Sequence, residues 1–192
     1  LLKIATHILT PTEAVRAELA ATFAVSLNRI TAVPLAAFDP GIQAARDQPK
    51  VTAPYILYIG ALDARKNVQT LITAWRRARA NVNDLSLVLA VPPRGEAPPN
   101  EPGLHRFAGL SDAEVTQLLS GAVAFVYPSL YEGFGLPVIE AMRAGIPVIT
   151  SPDPAITEVA SGAAVQVDVT SAETIAQAIL SVVTSSETQG RL

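Results

Sequence analysis

The sequence has no cysteine, only two histidines, one methionine and one tryptophan, and aromatic residues make up 5% of it. The missing cysteines exclude a disulfide framework and any thiolate zinc site, and they suit a reducing compartment. No metal site is expected. Basic runs are missing as well: the formal net charge is -3. The cluster Arg76, Arg77 and Arg79 fits a solvated helix face better than a track for a phosphate backbone, so no nucleic-acid partner is expected. No apolar stretch approaches the roughly 18–20 residues that cross a bilayer, and the first residues lack the charged region and cleavage site of a signal peptide. The chain opens on Leu1, and the expectation is a piece of a longer protein.

What the sequence does have is apolar residues in short, punctuated runs. At 49% hydrophobic residues and a mean hydropathy of +0.34, 192 residues suffice for one generous domain or a domain plus part of another. Strands are predicted over 3–9, 30–35, 55–60, 85–90, 104–108, 123–127, 147–150 and 164–168. "YILYIG" and "VAFVYPS" are apolar on both faces, as in a parallel sheet covered by helices on either side. Helices are predicted over 12–22, 68–80, 112–119, 137–144 and 172–183. "SDAE" at 111–114 has the form of a capping box, Pro137 suits a first helical turn, and Gly145 suits a helix end. Residues 37–53 read as a linker, and 91–103 as a proline-rich surface loop. The expected architecture is an α/β, doubly wound, Rossmann-like parallel sheet with helices on both faces over 54–192. Residues 1–36 then form a strand–helix–strand at the end of an N-terminal domain or in the crossing between domains.

In such a sheet ligands bind beyond the carboxyl ends of the strands. "YPSLYEGFGLPVIEAM", residues 127–142, lies at such a place. Glycines let the backbone turn, and the helix that follows presents free N–H groups and a positive dipole end, a setting for phosphate. Glu140, about one turn into the helix among apolar neighbours, is costly to bury unless donors meet it, and a vicinal diol supplies two. Glu132 stands on the other side of the glycines. Physics alone leaves a second reading open, in which Glu140 only stabilises the helix dipole by about 0.3–1 kcal/mol and the glycines are ordinary turn residues.

"YEGFGLPVIEAMRAGIPVITS" resembles the signature of the retaining glycosyltransferases of family 4, whose two glutamates are separated by seven residues and whose fold is called GT-B. "YILYIGALDARKNVQTLITAW", "FAGLSDAEVTQLLSGAVAFVYPS" and "AITEVASGAAVQVDVTSAETIAQAI" match the family's other segments in order, and the likeness covers nearly the whole chain. The resemblance implies that Glu140 holds the ribose hydroxyls of a nucleotide-sugar donor. Glu132 would contact the hydroxyls of the transferred sugar as the catalytic residue, and in the donor-binding loop that begins at Gly133 the amides of Phe134, Gly135 and Leu136 would face sugar and phosphate. It also implies that Lys66 neutralises the pyrophosphate, behind the turn glycine Gly60. Many members carry an arginine after that glycine. Here Ala61 stands in its place, and Arg65 is the candidate second cation.

By the same resemblance the chain is the donor-binding, C-terminal half of the enzyme. The partners are then a missing N-terminal domain, a sugar or lipid-linked acceptor and, through that domain, the membrane surface. The site of action is the cytoplasm, at the inner face of its membrane. The "RKN" form points to GDP-mannose, with a UDP-sugar as the alternative, and no cofactor beyond this substrate. The family's active-site histidine belongs to the missing half, and His7 and His105 do not match it. A nucleotide-sugar binding module without transferase activity is the alternative reading. A dehydrogenase or receiver domain would need a G-x-G-x-x-G turn, or an acidic cluster with a lysine, that this sequence lacks.

Overall fold

The computed structural model describes residues 4–37, 51, 54–93 and 100–185. Most of the expected linker, the middle of the proline-rich loop and the last seven residues lie outside them.

The larger part is a six-stranded, wholly parallel sheet: β3 (Tyr55–Ile59), β4 (Ser86–Val91), β5 (Leu104–Ala108), β6 (Ala124–Tyr127), β7 (Val148–Thr150) and β8 (Val165–Gln166), in the spatial order β5-β4-β3-β6-β7-β8. The chain winds outward from β3 to β5 and then returns to lay β6 on the other side of β3. Right-handed crossovers therefore send the helices to opposite faces of the sheet, and a crevice opens at the carboxyl ends of β3 and β6. β4 and β6 are buried along their whole length and β3 nearly so, which is why they read as unbroken apolar runs. Helices α2 (Val68–Arg79) and α6 (Ala172–Thr184) pack against each other. Trp75 of α2 is wholly buried, and its indole N–H donates to the Leu85 carbonyl at 2.9 Å, so the ring's polar atom is satisfied inside the core. The capping box forms at the start of α3 (Asp112–Gly121), between Ser111 and Glu114. Arg76 and Arg77 lie exposed and pair with Glu101 and Glu173.

Two short elements depart from the sequence reading. Residues 154–160 form helix α5 (Pro154–Ala160), where no helix is predicted, and Asp153 caps it by accepting from the amides of Ala155 and Ile156. Ahead of the main sheet, β1 (Ile8–Thr10), α1 (Glu13–Phe23) and β2 (Ile30–Ala32) make a separate two-stranded parallel sheet with one helix. The predicted strand over 3–9 thus begins late and leaves exposed His7 outside it, bonded to the Thr31 hydroxyl at 2.8 Å. The strand over 30–35 stops at Ala32, because Pro34 has no N–H to carry the ladder on. This unit buries little: α1 has no buried residue, and Leu9 is 67% exposed. Two strands and one helix are marginal by themselves.

Candidate functional site

The crevice is built from the ends of β3 and β6. Just past β3, Gly60 gives its N–H to Ala90 (3.0 Å) and has φ +152°, and a Cβ there would come within 2.6 Å of the Tyr58 hydroxyl. Only glycine fits, so the chain can leave the strand at this angle. Asp63 then caps a short 3-10 turn, Ala64–Lys66, by accepting from the Lys66 amide at 3.0 Å. Asn67, in the left-handed conformation, starts α2 and sends its side-chain amide to the carbonyls of Val169 (2.8 Å) and Pro128 (3.3 Å). One residue thus fixes the β3 turn against the segments that follow β6 and β8. Lys66 is in this turn rather than at a strand end, and it is 8% exposed.

Glu132 meets Lys66 from the loop after β6. Its Oε1 lies 2.5 Å from Lys66 Nζ, 3.0 Å from Arg65 Nη1 and 3.1 Å from the Tyr127 hydroxyl, so that three donors share one carboxylate oxygen. Lys66 also donates to the Tyr127 hydroxyl at 2.6 Å. Arg65 further donates to the Tyr131 carbonyl at 2.7 Å, while its own carbonyl accepts from the Leu130 amide at 2.8 Å. Burial pushes the Glu132 carboxyl up, but the hydrogen bond and charge of Lys66 and the charge of Arg65 outweigh it and hold the group below the usual carboxylate range. Burial, then the neighbouring carboxylate, pushes the Tyr127 phenol well above its ordinary value, so it stays protonated and donates to Glu132.

Beyond Glu132 the loop is shaped by two glycines of different kinds. Gly135 has φ +90°, and a Cβ would stand 2.4 Å from Ile156 Cδ1; at Gly133 a Cβ would make only ordinary contacts of 3.9 Å with Pro11 and Val15. Gly135 is the cap of α4 (Leu136–Arg143) and Pro137 lies in its first turn; the Val138 amide turns back to the Gly135 carbonyl at 2.9 Å. Among the described residues the amides of Phe134, Gly135 and Leu136 find no acceptor, and the positive end of α4 opens on them. Glu140, half-buried on α4, finds no donor among the described residues. Burial, and next the charge of Asp112, push its carboxyl above the usual range.

Residues not singled out from the sequence complete the surroundings. Thr12 caps α1 by accepting from the Val15 amide (3.2 Å) while donating to the Gly133 carbonyl at 3.1 Å. Glu158 of α5 accepts from the amides of Glu13 and Ala14 at 2.9 and 3.0 Å, and the Tyr131 hydroxyl donates to Glu18 at 2.8 Å. The Asp153 carboxylate accepts from the Glu132 amide at 3.3 Å. Between α1 and this loop lies a crevice of about 530 Å³, on which Glu18, Tyr131, Glu132 and Asp153 border. The candidate residues thus fall into two groups: Gly60, Arg65, Lys66 and Glu132 at the crossing of β3 and β6, and Gly133, Phe134, Gly135, Leu136 and Glu140 along the loop and α4.

Residues 42–192 match the family described as glycosyl transferases group 1. The chain belongs to the group 1 glycosyl transferases. Among curated relatives, the chain is 35% identical to the MMP alpha-(1->4)-mannosyltransferase of Mycolicibacterium hassiacum over 80% of this chain and 38% of the relative. It is 32% identical to O-antigen chain mannosyltransferase B of Escherichia coli over 66% of this chain and 36% of the relative. The chain therefore spans little more than a third of the length of these relatives. In fold it matches a glycosyltransferase of Rickettsia africae, with a TM-score of 0.78 at 15% identity, covering 99% of this chain and 56% of that one. It likewise matches WaaG, a glycosyltransferase involved in lipopolysaccharide biosynthesis (TM-score 0.75, 17% identity, 96% and 55% covered).

Proposed function

We propose that this chain is the donor-binding half of a retaining glycosyltransferase that moves a hexose, mannose, from GDP-mannose to a sugar or lipid-linked acceptor. The observation that carries the reading is the convergence of Lys66, Arg65, Tyr127 and Glu132 at the switch point of the sheet, beside three amides at the head of α4 that find no acceptor among the described residues. Two cations and a helix N-terminus suit a diphosphate. Glu140, half-buried and with no donor among the described residues, suits the diol of the ribose, whose two hydroxyls would supply two. Glu132, at the sugar end, faces the positive charge that develops at the transferred carbon and stabilises it. The curated mannosyltransferases among the relatives support mannose as the sugar.

The exposed β1–α1–β2 unit fits the end of an N-terminal domain that would cover its apolar residues, with residues 37–53 as linker. The acceptor would enter between that domain and the donor crevice. We place the enzyme in the cytoplasm at the inner face of the membrane, with membrane contact made by the missing domain. Among the described residues no helix is long and apolar enough to cross a bilayer.

Titrating the full-length protein with GDP-, UDP- and ADP-sugars tests the reading. GDP-mannose should bind most tightly and be consumed in the presence of acceptor, whereas the isolated chain should bind it weakly and transfer nothing. Transfer by the isolated chain, or no binding of any nucleotide sugar by the full-length protein, would refute it. Binding without turnover by the full-length protein would leave a nucleotide-sugar binding module.

A further inference from the structure

The two cations nearest the proposed diphosphate site are already engaged from within the fold. Lys66 spends one N–H on Glu132 (2.5 Å) and another on Tyr127 (2.6 Å), and Arg65 reaches the same Glu132 oxygen at 3.0 Å. Lys66 and Glu132 are both buried, at 8% and 9% exposure, and Asp153 holds the Glu132 amide from behind. We infer that Glu132 is an internal counter-anion that competes with the donor's diphosphate for Lys66 and Arg65, and that it thereby sets the preference of the site for a nucleotide sugar over the bare nucleoside diphosphate. The inference rests on the donor-site reading above.

A diphosphate that reaches Lys66 brings negative charge against a carboxylate already in place. Either Glu132 stays and repels it, or Glu132 swings away and loses three donors that keep a buried charge satisfied. A nucleotide sugar carries its own remedy, because the sugar hydroxyls donate to the displaced carboxylate. A bare diphosphate has no such donors. Once the sugar has been transferred, the remaining ligand is the one the site holds least well, and its departure restores the Lys66–Glu132 pair. Tyr127 favours that return, since its hydroxyl bonds both partners.

Calorimetric titration of the full-length protein with GDP and GDP-mannose, repeated with UDP and a UDP-sugar, tests this. Glu132→Gln should bind the nucleoside diphosphate about tenfold more tightly than wild type, the scale of one close like-charge contact removed, and should lose most of the preference for the nucleotide sugar. Glu132→Asp keeps the charge but shortens the reach to Lys66. It should shift affinity in the same direction by about threefold, so the test survives a Gln variant that does not fold. Guanosine, with no phosphate, should bind all forms alike. Diphosphate affinity equal to or weaker than wild type in the folded variants would overturn the counter-anion role and leave the donor site standing. A wild-type protein that binds neither diphosphate would sink the donor-site reading and this inference together.

Discussion

Glu132 and Glu140 stand eight residues apart on one loop and the helix that follows it, and the fold treats them in opposite ways. Glu132 is surrounded by donors, an ammonium, a guanidinium and a phenol, while its backbone N–H donates to the Asp153 carboxylate. Glu140 is half-buried on α4 with no donor among the described residues. Their carboxyls move to opposite sides of the ordinary range, Glu132 down and Glu140 up. An acid that serves the fold is satisfied by the fold. Glu132 meets that standard, so any further role requires it to give something up, whereas Glu140 has no donor among the described residues and is the one proposed to meet a ligand.

The largest effect that would sharpen this contrast is on turnover. In the full-length enzyme Glu132→Gln should lower the steady-state rate by about tenfold to a thousandfold, through loss of charge stabilisation in the transition state. Glu140→Gln should show the reverse pattern. It removes charge-assisted hydrogen bonds worth roughly 1.5–3 kcal/mol each and should weaken GDP binding about tenfold or more in calorimetry. Matching losses in both variants would break the assignment of separate roles.

The glycines between the two acids offer a second contrast of the same kind. Gly135→Ala places a Cβ at φ +90° and against Ile156, and should cost about 1–3 kcal/mol in chemical denaturation. Gly133→Ala adds only ordinary contacts and should stay within about 0.5 kcal/mol of wild type.

A further contrast between the two acids is in melting temperature against pH. Glu132 has a lowered carboxyl value in the folded state. Its contribution is present above the unfolded value of about 4.3 and is lost as pH falls through the folded one. Glu140 has a raised value, so its contribution is complete below the unfolded value and is lost as pH rises through the folded one. At pH 7, therefore, Glu132→Gln should lower the melting temperature, by a stability loss of about 1–3 kcal/mol. Glu140→Gln should hold or slightly raise it, and near pH 4 the gap between the two variants should narrow. Equal destabilisation at pH 7 would contradict the two environments described here.

Much of this was legible in the residues. Strands buried on both faces, such as β3 and β6, announce themselves as apolar runs, and the capping box and Pro137 marked helix starts that the structure places within one residue of the predicted ones. Pairings across long separations were not. Lys66 and Glu132 lie 66 residues apart, and periodicity says nothing of which loops will meet above a sheet. Tyr127 was hidden because an apolar run treats it as core, although its hydroxyl emerges at the carboxyl end of β6 into the site. Helix α5 carried its signals in "DPAITEVA", an Asp cap followed by Pro, but its seven residues make too short a span for a 3.6-residue period to stand out. Nothing in the sequence singles out Glu158, since the amides that it meets lie 144 and 145 residues away along the chain.

Trp75 gives the molecule a built-in optical label. As the chain's single indole, wholly buried on α2 and bonded to the Leu85 carbonyl, it emits from an apolar setting while the α2–β4 packing lasts. Its fluorescence should move to longer wavelength when water reaches it. Within these 192 residues no second indole dilutes that signal, so in the isolated chain a red shift reports loss of the main sheet's core. Because α2 begins directly after Lys66 and Asn67, the ring sits on the same rigid rod as the cation proposed to grip the donor. A change in emission intensity without a shift in wavelength would then register movement at that end of the rod while the core stays dry.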